Sequence, residues 1–139
     1  MHLTQIRLIV SDFARTLAFY RDVIGLRPQV ENPGPPYVAF EPEMGSSLCL
    51  HDRTDLDAAL GGVLRTGLGR TDTALVSLRV DDLDDYLAAV RERGAEIACG
   101  PLAFGDRIRC AYLRDPEENL IEIQQWLATR SGEPVPPAG

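Results

Sequence analysis

Long apolar runs are missing from this 139-residue chain: no stretch of roughly 18 consecutive apolar residues exists to cross a bilayer. The N-terminal Met1-His2-Leu3-Thr4-Gln5 also lacks the charged-then-apolar order of a secretory leader. Neither a membrane span nor a signal peptide is expected, and a cytoplasmic location follows. Positive charge is scarce, with 14 basic against 21 acidic residues and a net charge of −7. Nucleic acid and anionic membrane are thereby disfavoured as partners, because counterion release needs a basic face; a cationic or neutral small molecule suits the charge better. The cysteines are only Cys49, Cys99 and Cys110, odd in number and without CxxC spacing, which fits reduced thiols rather than a disulfide framework. Tryptophan occurs once, at Trp126.

What the chain does contain is one unit twice. Leu8–Arg21 returns seventy positions later as Leu78–Arg91, with Leu8/Leu78, Val10/Val80, Asp12/Asp82, Leu17/Leu87, Ala18/Ala88 and Arg21/Arg91 identical. The second halves of the copies match at an offset of 73, placing Phe40 on Leu113, Leu48 on Ile121, Cys49 on Glu122 and Leu50 on Ile123. A repeat of this length is one supersecondary unit used twice. The three-residue change of offset belongs in a loop, since a slip of one residue inside a strand would turn every side chain to the wrong face.

Each copy reads as βαβββ. Ile6, Leu8 and Val10 alternate, Asp12 sits at an N-cap, Phe13, Leu17, Tyr20 and Ile24 follow at helical spacing, and Gly25 stands where a helix would stop. The second copy repeats this with Val76, Leu78 and Val80, then Asp82, then Leu83, Leu87 and Val90, then Gly94. Three short strands are expected after each helix, about 27–32, 37–42 and 46–52, then about 95–99, 107–114 and 119–126, with Pro33-Gly34-Pro35-Pro36, Pro101 and Gly105 in loops. Leu8, Val10, Leu17, Tyr20, Leu78, Val80, Leu87 and Val90 should lie buried between sheet and helix. The expected organisation is a first module over 1–52, an inter-module linker over 53–72, a second module over 73–127 and a disordered tail over 128–139.

These residues carry a family resemblance. Ile9-Val10-Ser11-Asp12-Phe13 running into Leu17-Ala18-Phe19-Tyr20 and Ile24-Gly25-Leu26, the second-copy Val80-Asp81-Asp82-Leu83, and the closing Arg114-Asp115-Pro116-Glu117-Glu118-Asn119-Leu120-Ile121-Glu122-Ile123 together resemble the vicinal-oxygen-chelate superfamily. That superfamily includes glyoxalase I, extradiol dioxygenases and bleomycin-resistance proteins. The resemblance implies an α+β fold in which two βαβββ modules form a curved, cup-like mixed sheet with helices outside. One departure stands out: the family's final turn reads Asp-Pro-x-Gly-Asn, and Glu118 takes the place of the glycine, where φ > 0 is expected to be needed.

In metal-dependent members, the resemblance further implies, ligands occupy four pseudo-symmetric positions, which fall on Gln5, Cys49, Leu75 and Glu122. The internal repeat independently pairs Gln5 with Leu75 and Cys49 with Glu122. Leucine has no donor, and a thiol mixed with hard oxygens suits Fe(II), Ni(II) or Mg(II) poorly. No cofactor is therefore expected, a divalent metal being the alternative. Strand parity nominates Gln5, Arg7, Cys49, His51, Leu75, Ser77, Arg109, Glu122 and Trp126 as ligand-facing. Glu122 is the candidate catalytic group, to be paired by Arg109 or Arg7, protonated or ligand-facing. His51 reads either as a displaced ligand or general base, or as a strand-end histidine touching water. Cys49 reads as a small buried side chain, and Trp126 as a stacking surface, or as core or dimer interface.

Two functions remain open. One is a bleomycin-resistance-like protein that binds a drug or metabolite in the cup without chemistry, as a homodimer. The other is a metal-dependent lyase, isomerase or dioxygenase of the same superfamily.

Overall fold

The computed structural model describes residues 1–65 and 72–139. The protein is α+β, and its chain divides into two compact units, Met1–Thr71 and Asp72–Gly139. Among the described residues no helix is long and apolar enough to cross a membrane.

In the first unit, β1 (Gln5–Val10) leads into α1 (Phe13–Ala18) through Asp12, whose side chain accepts from the Arg15 N–H at 3.2 Å. The helix continues as a wider turn over Phe19–Ile24, where the amides of Gly25 and Leu26 both donate to the Tyr20 carbonyl, at 3.0 and 2.8 Å. Gly25, at φ 97°, then ends it in the left-handed region that glycine enters without a Cβ clash. Strands β2 (Tyr37–Ala39) and β3 (Ser47–Asp52) complete a sheet of order β1-β3-β2, with β1 parallel to β3 and β2 antiparallel to it. Val10, Phe13, Leu17, Tyr20, Val38, Phe40 and Leu50 form this unit's core.

The second unit follows the same plan. After β4 (Leu75–Val80), Asp82 caps α3 (Leu83–Glu92) by accepting from the Asp85 N–H at 2.9 Å, with Asp84 and Asp85 complementing the helix N-terminus. Strands β5 (Cys99–Phe104), β6 (Ile108–Arg114) and β7 (Leu120–Trp126) complete a sheet of order β4-β7-β6-β5. Leu83, Leu87, Val90, Ala111, Leu113, Ile121 and Ile123 are fully buried. The parallel registers repeat as the sequence offsets require: Gln5 faces Ser47 in one unit, and Leu75 faces Leu120 in the other.

The structure corrects the expected elements in four places. Seven strands are present among the described residues rather than eight: the strand expected at 27–32 is reduced to an isolated bridge, Pro28 to Phe40, because Pro28 has no N–H to donate and a cluster of prolines follows. The strand expected at 95–99 lies instead at Cys99–Phe104 and includes Pro101, which is tolerated because β5 is the outer strand of its sheet and is bulged between Cys99 and Leu102. The expected linker over 53–72 contains α2 (Arg53–Ala59), capped by Asp52 accepting from the Asp55 N–H at 3.0 Å; its part over 66–71 lies outside the described residues. Leu8, Leu78 and Val80 are only half-buried, since β1 and β4 each have a single neighbour within their own sheets.

The final residues carry no regular secondary structure, but they are hydrogen-bonded. Arg79 donates to the carbonyls of Pro136 (2.7 Å) and Pro137 (3.1 Å), and the Ala138 N–H donates to Asp81 at 2.7 Å.

Candidate functional site

In each sheet the face turned away from the helix carries the polar residues. In the first unit this face holds Gln5 and Arg7 from β1, Tyr37 from β2, and Cys49 and His51 from β3, brought side by side by the pairings Arg7 with Cys49, Tyr37 with His51, and Ala39 with Cys49. The neighbours fix the Gln5 amide: its oxygen accepts from Arg7 Nε and Nη2, at 2.9 and 3.0 Å, and its nitrogen donates to the Tyr37 hydroxyl at 2.9 Å. That hydroxyl in turn donates to Cys49 Sγ at 3.1 Å. The hydrogen bond to Cys49, together with burial, pushes the Tyr37 phenol above its ordinary range.

His51 is clamped rather than free. Arg7 Nη1 lies 3.2 Å from its Nδ1, and Asp55 of α2 lies 2.9 Å from its Nε2. Arginine can only donate, so Nδ1 is the acceptor and Nε2 carries the proton that goes to Asp55. Both ring nitrogens are thus engaged, and neither is left to act as a general base. Cys49 is fully buried.

In the second unit the corresponding face is organised around a carboxylate. Glu122 is 7% exposed. Its Oε1 accepts from the Ser77 hydroxyl (2.9 Å) and from Gln124 Nε2 (2.5 Å), and its Oε2 accepts from the Tyr112 hydroxyl (2.5 Å). Gln124 Oε1 then accepts from Trp126 Nε1 at 2.9 Å, so the network runs from Ser77 and Tyr112 through Glu122 and Gln124 to the indole. Burial pushes the Glu122 carboxyl upward, but the hydrogen bonds from Tyr112, Gln124 and Ser77 together outweigh it and hold the group below the ordinary carboxylate range. The same contact raises the Tyr112 phenol. Cys110 is buried beside Tyr112, and burial raises its thiol. The partners of Glu122 are therefore neutral donors, not the Arg109 or Arg7 expected from sequence.

Arg109 is placed differently from expectation. It pairs across the sheet with Gln125, which has the opposite parity to Glu122, and turns to the helix-bearing face, where it forms a bidentate pair with Asp84 of α3 at 3.0 and 3.1 Å. The Arg109 guanidinium holds the Asp84 carboxyl below its ordinary range. Its neighbour Gln125 serves the same face by accepting from the Leu83 N–H at 2.9 Å. Leu75 stays on the polar face, 44% exposed. Trp126 is 40% exposed, with the Arg79 guanidinium 5.0 Å from its ring centre. Beside Trp126 lies a cleft of about 400 Å³ lined by Arg107, Ile108, Gln124, Thr129 and Arg130.

Tyr37, Asp55, Tyr112 and Gln124 were not nominated by sequence. Tyr112 was within reach, since the offset of 73 puts apolar Leu113 on Phe40 and so assigns Tyr112 to the opposite face. Asp55 has no such signal, because the segment 53–72 that carries it reads in sequence as a linker.

The donor set does not fit a divalent metal. Leu75 offers nothing, the Gln5 oxygen faces the cationic Arg7 guanidinium, Cys49 Sγ is engaged by Tyr37, and the Glu122 oxygens are held by three donors. Among the described residues no group of three His, Cys, Asp or Glu side chains is placed to hold an ion.

Residues 2–123 match the Glyoxalase/Bleomycin resistance protein/Dioxygenase superfamily. The chain is 28% identical to a lactoylglutathione lyase of Haemophilus influenzae, over 95% of this chain and 98% of that protein. Among solved structures it resembles a glyoxalase/bleomycin resistance protein/dioxygenase from Nocardioides, with a TM-score of 0.74, 22% identity, and coverage of 98% of this chain and 89% of the other. It also resembles TnmS3, an antibiotic binding protein from Streptomyces sp. CB03234, with a TM-score of 0.66, 26% identity, and coverage of 91% and 96%.

Proposed function

The chain belongs to the glyoxalase/bleomycin resistance protein/dioxygenase superfamily, and from that premise we propose that it is a small-molecule binding protein that uses the Trp126-bearing face of its second sheet and no catalytic metal. The observation that carries this reading is the state of Glu122. A carboxylate that is 7% exposed and already accepts from Ser77, Tyr112 and Gln124 keeps only one of its roughly four lone-pair sites, so it is neither an open metal ligand nor a base presented to a substrate. What the face offers outward is an indole surface, an amide and arginines around a concave cleft, the composition of a binding site. Likeness to an antibiotic binding protein supports the same reading. Likeness to a lactoylglutathione lyase favours the lyase alternative at the level of the family, but the donor set stands against it here. A cytoplasmic setting accords with three free thiols.

The test is a panel of aromatic antibiotics and metabolites titrated against the fluorescence of the single tryptophan, with elemental analysis of protein purified without chelator. Saturable quenching, recovery of the compound unchanged, and well under one equivalent of Fe, Ni, Zn or Mn are expected. Steady conversion of a compound to product, or one firmly held equivalent of metal that disappears in Glu122→Ala, overturns the proposal.

A further inference from the structure

We propose that the Trp126 cleft takes a planar aromatic anion, stacked on the indole with its charge held by Arg107 and Arg130; this rests on the small-molecule reading above and names the ligand class. The cleft's volume, about 400 Å³, lies within the range of small-ligand pockets. Among the described residues no acidic side chain lines it, although the chain has 21 of them. Arg107 immediately precedes β6 and Arg130 follows β7, and the two segments are tied by the Leu127 N–H donating to the Arg107 carbonyl at 2.6 Å.

Among the described residues neither guanidinium is neutralised by a neighbouring acid. Arg21, Arg27, Arg109 and Arg114 each have a carboxylate partner, whereas among the described residues Arg107 and Arg130 have none. The sequence contains no lysine, so each of its 14 basic residues is an arginine, whose planar fork matches a carboxylate in two-point contact. Trp126 has its N–H committed to Gln124, which leaves the ring surface as what it can offer. Arg79, which lies over that ring, is held by the Pro136 and Pro137 carbonyls and lines a separate hollow of about 280 Å³ with Val135.

The overall charge of −7 would draw cations toward the protein, but screening over roughly 8 Å leaves contact selectivity to the nearest charges. Here those are the two unpaired arginines. Glu122, the acid on this face, sits behind Gln124 with its oxygens occupied.

The experiment is calorimetric titration of the full chain at low ionic strength with three naphthalenes of one shape: 2-naphthoate, 2-naphthamide and 2-naphthylmethylammonium. The carboxylate should bind about five- to tenfold more tightly than the amide, the size of effect set by partly exposed ion pairs, and the ammonium most weakly. Added salt should shrink the difference, and the double variant Arg107→Gln/Arg130→Gln should erase it, bringing the carboxylate's affinity to that of the amide. Trp126→Ala should weaken all three. Binding of the amide or ammonium as tight as that of the carboxylate would overturn the ligand class while leaving the binding reading intact. Carboxylate binding indifferent to the double variant would place the anion elsewhere and also overturn the inference. If no naphthalene binds at millimolar concentration the inference fails, and the binding reading is then decided by the quenching panel.

Discussion

Replacing Glu122 by glutamine tests the chemistry of the second sheet most directly, because the substitution keeps shape and removes charge. In the wild type the carboxylate accepts three hydrogen bonds, and such bonds to a charged group contribute about 1.5–3 kcal/mol each. In the amide the oxygen takes the side of Ser77 and Gln124, because Gln124 can only donate there, its own oxygen already accepting from Trp126; both bonds become neutral ones of roughly half the strength. The new NH₂ faces the Tyr112 hydroxyl, which must turn from donor to acceptor. Two bonds are weakened and one is reversed, so Glu122→Gln should cost about 2–4 kcal/mol. Urea denaturation at pH 7 should report this as a lower midpoint at constant slope. The pH dependence carries a sign. The folded-state carboxyl is held below its ordinary value of 4.5, so its stabilisation is complete above that value and is lost as pH falls through the lower, folded-state value. The gap between wild type and variant should therefore be flat above about pH 5.5 and narrow below pH 4.5. Asp22, Asp72 and Asp84 are also held low by neighbouring arginines, but both proteins contain them and they cancel in the difference. A gap under about 1 kcal/mol, or one that widens in acid, would refute the account.

Four further outcomes are expected. Glu118 has φ 69°, so Glu118→Gly should raise stability by about 0.5–1 kcal/mol in urea, and a loss would show that its side chain compensates the strain. We expect a symmetric homodimer, reported by light scattering at micromolar concentration as twice the chain mass; a stable monomer would count against it. Removal of residues 131–139 deprives Arg79 and Asp81 of their tail partners and should make Trp126 emission redder and more accessible to acrylamide, with a stability change under about 1 kcal/mol; an unchanged spectrum would mean that the tail does not cover this region in solution. Cys99 is exposed whereas Cys49 and Cys110 are buried, so a thiol reagent should titrate one equivalent quickly and the other two only on unfolding.

The scaffold was readable wherever the signal was local. Asp12 and Asp82 cap because a short acceptor precedes an apolar stripe, and Gly25 and Gly94 end their helices at positive φ. The readings that failed depend on pairing partners. Pro101 signals a loop in sequence, yet an outer strand has a side where the missing N–H is not needed. The parity that nominates Arg109 is the wrong one: four residues from Leu113, it shares the apolar side of β6, and the register of β6 on β7 places it opposite Gln125 rather than Glu122. The face of Ser77 and Tyr112 is legible, but that both donate to Glu122 depends on strand pairing, Ser77 reaching it from 45 residues away and Tyr112 from ten.

The internal repeat separates what the backbone demands from what it leaves open. Between the copies the caps, the terminal glycines and the parallel register recur. On the polar face each equivalent pair differs: Gln5 against Leu75, Arg7 against Ser77, Cys49 against Glu122, His51 against Gln124. The same slots thus hold a network centred on a cation in the first unit, where Arg7 donates to Gln5 and His51. In the second they hold a network centred on an anion, where Glu122 accepts from Ser77, Tyr112 and Gln124. Each network meets its central charge with hydrogen bonds and closes on itself, the first ending on Asp55 through His51. A closed network orders its outermost member, and in the second unit that member is Trp126. The carboxylate of Glu122 then acts by fixing Gln124, and through it the indole, while the contacts to a ligand fall to the ring and to the arginines around it.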